Sequence, residues 1–209
     1  MKSSIKTKLN RTVNDIIYHT IPKVKLISSL LKIAKLQTPH SFLKHKVVKN
    51  YGKQFNIKVL VETGTCGGGM VYSGRKRFKK IYSIELSKTL YNFVKKRFAK
   101  YDHIKLYQGD SGKVLPEILS NINITCVFWL DAHYSGGITV KGEFETPIMK
   151  ELKVIFDHPF KNHVILIDDA NLFVGKNDYP TMKELKKFIA SRRPDLKLYV
   201  KYDIIRIHR

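Results

Sequence analysis

Val59–Met70 reads VLVETGTCGGGM. Apolar residues lead into Glu62, and glycines then fall at 64, 67, 68 and 69. An apolar run that stops on an acid and a glycine cluster predicts a buried strand, a tight turn and a helix start. Such a turn lets backbone N–H groups and a helix N-terminus approach a ligand closely. A lone glycine-rich turn is also an ordinary βα connection, so its meaning depends on the residues downstream of it.

Downstream, strands and helices alternate. Strands are predicted at 57–62, 80–85, 103–107, 125–131 and 163–168, with TCVFWLD and HVILID nearly apolar throughout. Helices are predicted at 68–77, 87–99, 112–120, 143–157 and 180–190, the last with Pro180 at its start. The tail LKLYVKYDIIRIH reads as two strands with a turn around 201–203. This order predicts an α/β domain over 51–209, its sheet mainly parallel and covered on both faces, with the last strand pair adding an antiparallel edge.

Residues 1–50 read as a basic helical extension. Within VKLISSLLKIAKL at 24–36, positions 27, 30, 31 and 34 share one helical face, between Pro22 and Pro39. The expected role is a lid or an oligomer contact; membrane-surface contact is the sharper but poorer alternative.

The chain has 209 residues, of which 43% are hydrophobic, enough for one sizeable core. It contains no apolar run of membrane-spanning length and no secretory-type start, which predicts a cytoplasmic protein. Cys66 and Cys126 form no paired metal motif and are expected as reduced thiols. The formal charge is +22, and residues 1–58 carry 13 Lys or Arg against the single acid Asp15. That excess predicts attraction to polyanions: nucleic acid, anionic membrane or acidic substrates. It does not choose among them, and a merely solvated lysine-rich surface explains it about as well.

Acids recur at the predicted strand ends: Glu62, Glu85, Asp110, Asp131, and Asp168 with Asp169. In an open α/β sheet the carboxyl ends of the strands line the ligand crevice. One such ending is helix capping; five in register predict a functional crevice. Glu85 lies 21 residues after Gly64, an offset at which an acid accepts both ribose hydroxyls of an adenosine-containing ligand. Asp110 and Ser111 suit an adenine edge, and equally a helix start.

ETGTCGGG, the ribose-type Glu85, GDS at 109–111 and the terminal strand pair together resemble the class I S-adenosylmethionine-dependent methyltransferases over about 57–209. The pair WLDAH at 129–133 and LIDDA at 166–170 further resembles the metal-dependent sugar O-methyltransferases of macrolide and aminocoumarin pathways. The resemblance implies a Rossmann-like methyltransferase fold with a mostly parallel seven-stranded sheet. It implies donor binding by Glu62, Gly64, Thr65, Gly67, Glu85, Leu86, Asp110, Ser111 and Asp131. It also implies Mg2+ or another divalent cation on Asp131, Asp168 and Asp169, a hard oxygen set that suits magnesium. His133 stands where that family places an acidic general base. Histidine can accept a hydroxyl proton near neutral pH, ligate the metal, or gate the pocket. Ser135, Gly136, Gly137, Glu143 and Glu145 come next, in a loop beside the expected crevice.

The expected acceptor is a sugar or glycan hydroxyl, with an anionic acceptor suited to the charge. A nucleic-acid methyltransferase is the main rival, and a non-catalytic binding protein of the same fold the third. A nicotinamide enzyme fits less well, because Cys66 breaks the dinucleotide G-x-G-x-x-G spacing.

Overall fold

The computed structural model describes residues 39–134, 142 and 144–209. The helix expected at 24–36, the loop residues Ser135, Gly136 and Gly137, and Glu143 lie outside the described residues. So does most of the expected extension.

Among the described residues seven strands and six α-helices alternate. Helix α1 is Pro39–Gln54, and then come β1 Val59–Thr63, α2 Gly69–Gly74, β2 Lys80–Glu85 and α3 Lys88–Phe98. Next are β3 Ile104–Gln108, α4 Ser111–Ser120, β4 Cys126–Leu130, α5 Ile148–Asp157 and β5 Val164–Ile167. A 3-10 turn at Ala170–Leu172 leads to α6 Met182–Arg192, β6 Lys197–Lys201 and β7 Ile204–His208. The sheet order is β3-β2-β1-β4-β5-β7-β6. Neighbours from β3 through β5 are parallel, and β7 runs antiparallel to both β5 and β6.

Alternation along the buried strands sorts the core into two layers. Val61, Ile84, Phe128 and Ile165 face α4, α5 and α6 on one side. Leu60, Ile81, Val127, Trp129 and Leu166 face α1, α2 and α3 on the other. Strands covered on both faces are buried throughout, as β1, β4 and β5 are; β4 and β5 are wholly apolar, and β1 departs only at Glu62 and Thr63 at its carboxyl end.

Helix α1 straddles residue 50, where a boundary is expected. Val47, Val48 and Tyr51 belong to the same core layer as β1 and β4, so this helix is integral to the sheet domain. Two other helices are shorter than expected. Helix α2 stops at Gly74, whose carbonyl accepts the N–H groups of Arg77 and Phe78. Helix α5 begins after Pro147, because a residue preceding proline, here Thr146, is held out of the helical region. Among the described residues no helix is long and apolar enough to cross a membrane.

Candidate active site

The strand order reverses between β1 and β4, and the crevice above such a switch point is where open α/β sheets bind ligands. A cavity of about 310 Å³ lies there. Its floor is fixed by Gly64, at φ +83°, where an added Cβ would sit 2.4 Å from the Asp131 carbonyl oxygen. Only glycine allows the turn after β1 to lie against the end of β4.

One half of the cavity has the chemistry of an adenosine site. It is lined by Ile84, Glu85, Leu86, Leu90, Gly109, Asp110 and Ser111. Glu85 Oε2 accepts the Cys66 N–H at 2.7 Å, and Oε1 accepts the Ser87 N–H at 2.8 Å. Burial raises the Glu85 pKa, and these N–H bonds oppose the rise. A carboxylate has about four acceptor positions, so Glu85 ties the glycine turn to β2 and still has capacity for ribose hydroxyls. Asp110 caps α4, its Oδ1 accepting the Gly112 N–H at 2.8 Å. The Ser111 hydroxyl donates to Glu151, a fully buried acid whose pKa burial pushes up to about 7, so its proton is already engaged.

Three expected donor residues lie beneath the cavity without lining it. Glu62 is buried and accepts the Ser83 hydroxyl; burial holds its pKa well above the usual carboxylate range. Thr65 shares a 2.6 Å hydrogen bond with the same Ser83 hydroxyl. The Gly67 carbonyl accepts from Arg97. These groups brace the turn from below.

The other half is acidic. Asp131 comes after β4 and Asp168 and Asp169 after β5, with Asp168 N–H bonded to the Leu130 carbonyl at 3.0 Å. Asp169 takes a left-handed conformation, φ 51°, which Asp tolerates better than most residues and which often marks a functional turn. His133 lies between the carboxylates, Nδ1 3.4 Å from Asp131 and Nε2 3.6 Å from Asp169. The bond to Asp131 raises the His133 pKa above its ordinary value; burial opposes this, and the charges of Asp131, Asp169 and Asp168 add to it.

The donor atoms that converge within 4.8 Å of one another come from Asp131, His133 and Asp169. Asp168 stands apart from this set. Its Oδ2 is 2.6 Å from the Lys44 ammonium, and its Oδ1 accepts the Asp169 N–H at 2.9 Å. Lys44 also lies 3.2 Å from Asp169 Oδ1. Burial lowers the Lys44 pKa, and the Asp168 bond together with the three acids outweighs it, leaving the ammonium firmly charged. Burial, with Asp131 nearby, raises the pKa of Asp168. The two oxygens and one nitrogen that converge could hold a divalent cation, and with one nitrogen more and one carboxylate fewer than expected the set suits Mn2+ or another transition metal better than Mg2+.

Lys44 is the main residue that sequence reasoning missed. Its only signal is its place on the inward stripe of α1, four and seven residues before Val48 and Tyr51. Tyr134 and Glu145 line the cavity, with the Tyr134 N–H on the Glu145 carbonyl at 2.9 Å. Phe173 is buried in the core and Tyr179 packs edge-on against it, so neither forms the main cavity's rim. Burial pushes the Cys66 thiol up to about 11 and Cys126 to about 12, which makes both unreactive.

The topology, the switch-point cavity and the glycine turn braced by a ribose-type acid define the class I S-adenosylmethionine-dependent methyltransferase fold. Solved structures share it. The O-methyltransferase TomG of Streptomyces achromogenes, involved in tomaymycin synthesis and solved with S-adenosylmethionine, is 14% identical, covers 78% of each chain and superposes with TM-score 0.58. The Podospora anserina methyltransferase PaMTH1, bound to S-adenosylhomocysteine, is 18% identical over 87% of this chain and 86% of its own, TM-score 0.58. A Bacillus cereus O-methyltransferase with S-adenosylhomocysteine is 13% identical over 94% and 96%, TM-score 0.57. No protein-family model matches the chain, and no curated protein sequence matches it.

Proposed function

We propose that the protein is an S-adenosylmethionine-dependent O-methyltransferase acting on a sugar-type hydroxyl. One observation carries this reading: a single cavity joins an adenosine-type half, built on Glu85 and Asp110, to an acid–histidine half, built on Asp131, His133 and Asp169. The first suits the donor and the second suits an acceptor hydroxyl. Glu85 and Asp110 hold the nucleoside end of the donor. The Gly64 turn brings backbone against its methionine end. His133, oriented by Asp131, accepts the acceptor proton as the oxygen attacks the donor methyl and the methyl–sulfur bond breaks, releasing S-adenosylhomocysteine. Asp131 and Asp169 would hold a divalent cation and leave His133 unligated as the base; when bound, the cation would lower the pKa of a coordinated hydroxyl.

Donor binding tests the first half. S-adenosylmethionine, and not NAD, should raise the melting temperature, by about 2.7 kcal/mol of stabilisation at a hundredfold excess over Kd. Methyl transfer to sugar acceptors, measured after exhaustive chelation and in Asp131→Asn, tests the second. Activity indifferent to both treatments would remove the acid half from the mechanism.

A further inference from the structure

The charge of the described domain is one-sided. Residues 39–105, which build α1, α2, α3 and their connections, contain 16 Lys or Arg and three acids. Two of those acids, Glu62 and Glu85, are buried, which leaves Asp102 as the only exposed one. Residues 106–209 contain 15 Lys or Arg against 13 acids. Since α1, α2 and α3 cover the same face of the sheet, the excess gathers on that face. Residues 1–38 add eight more bases and the single acid Asp15, so the remainder of the chain does not supply the counter-charge.

Several cations of this face stand over aromatic rings. Arg75 lies 3.6 Å from the centre of the Tyr72 ring, with Arg97 at 5.3 Å from the same ring. Lys88 and Lys95 flank Tyr91 at 5.7 and 5.5 Å. Lys100 lies 5.4 Å from Tyr101. Lys76, Lys79, Lys88, Lys95, Lys96 and Lys100 are exposed, and among the described residues none forms an ion pair. Unpaired cations interleaved with aromatic rings match what a single strand of nucleic acid requires: charge for phosphates and flat surfaces for bases. A bilayer needs a continuous apolar strip to bury, whereas among the described residues the large exposed hydrophobics of α1–α3 and their connections are Phe42 and Phe55 at opposite ends of α1 and Tyr72 on α2.

We infer that the α1–α3 face is a binding surface for single-stranded nucleic acid. Phosphates take the lysines, Arg75 turns from Tyr72 toward the backbone, and the exposed rings stack bases. The same face meets the rim of the cavity at Lys44 on α1 and at Leu86 and Leu90 around the start of α3. The surface stands on its own observations; where the methyl-transfer reading also holds, ribose hydroxyls are the sugar hydroxyls delivered to the cavity.

The test is fluorescence anisotropy of the full chain with a labelled single-stranded 20-mer of RNA, at a series of salt concentrations. Heparin and phosphatidylserine vesicles run as competitors. The triple variant Lys95→Gln, Lys96→Gln, Lys100→Gln should weaken binding about fiftyfold at 0.15 M salt and reduce the slope of log K on log salt by about 2. Lys183→Gln, Lys186→Gln, Lys187→Gln on the opposite face should leave both unchanged. Tyr72→Ala should weaken the RNA about tenfold and leave heparin unaffected. The inference is overturned by absent binding at 50 mM salt, by equal effects of the two triple variants, by an equal Tyr72→Ala effect on heparin, or by capture on vesicles in preference to RNA. A thermal shift with S-adenosylmethionine on the same variants checks folding and keeps the two readings separate. RNA binding without a donor shift would refute the methyl-transfer reading alone, and a donor shift without RNA binding would refute this one alone.

Discussion

Lys44 sits within hydrogen-bond reach of two carboxylates at the mouth of the cavity, and its removal should be felt in two ways. Lys44→Met keeps the length and deletes the charge. It leaves Asp168 buried without its cation, at a cost of about 3 kcal/mol near neutral pH. Asp168 already titrates above its ordinary value, so its unpaired charge is destabilising above the unfolded-state pKa and is relieved as protonation proceeds. The gap in melting temperature between Lys44→Met and the parent should therefore narrow as pH is lowered from 7.5 to 5. His133 makes a kinetic prediction. A base must be unprotonated, and its pKa is raised, so activity should fall as pH drops through a value above that of an unperturbed histidine. His133→Ala should lose about a hundredfold or more in kcat and lose that limb of the profile. A profile of unchanged shape would exclude His133 as the base. Gly64→Ala should fail as a fold element. A Cβ 2.4 Å from a carbonyl oxygen at φ +83° costs about 3 kcal/mol, and the melting temperature should drop about 10 °C.

At the scale of elements, β4 and β5 are joined at their starts by a buried imidazole pair. The Cys126 N–H donates to His163 Nδ1 at 3.0 Å, which leaves the proton on Nε2. That nitrogen meets His158 Nδ1 at 2.9 Å, and His158 Nε2 then donates to the Ile122 carbonyl at 2.9 Å. The chain of bonds works only with both rings neutral. Burial, with the nearby charges of Arg193 and Lys161, lowers the His163 pKa to about 3. The unfolded chain takes up that proton near pH 6.5 and the folded one resists it. Stability should thus be full above about pH 6.5 and fall by about 1.4 kcal/mol per pH unit below it. Urea midpoints measured between pH 7 and 4.5 check this. His163→Asn retains an acceptor for Cys126 and should show a shallower slope.

Legibility in the sequence also varies by element. Lys80–Glu85 can be read to the residue because a strand covered on both faces ends where its apolar run meets an acid. The start of α5 cannot, because the constraint is Pro147 acting on its neighbour against an apparent helical period. The acids at strand ends are legible because topology alone places them in one crevice. The Lys44–Asp168 pair is not, since it joins residues 124 apart in sequence through the docking of α1, and local pattern holds no record of that contact.

On the scale of the whole molecule, charge is divided between two sides of one sheet: near balance over α4–α6, and almost no exposed acid over α1–α3. Like charges crowded on one face repel, and salt screens them within about 8 Å at physiological strength. Raising salt from 20 to 300 mM should raise the melting temperature by a few degrees, and replacing Lys95, Lys96 and Lys100 by Gln should flatten that response.

The contact between Gly64 and the Asp131 carbonyl has an evolutionary consequence. The separation between the two halves of the cavity is fixed by main chain touching main chain, with no side chain in between. Substitutions at 133, 134 or 145 can then reshape the acceptor half while the nucleoside half keeps its dimensions. On the proposed function, a lineage built on this scaffold is free to change what it modifies while keeping the half that holds the donor.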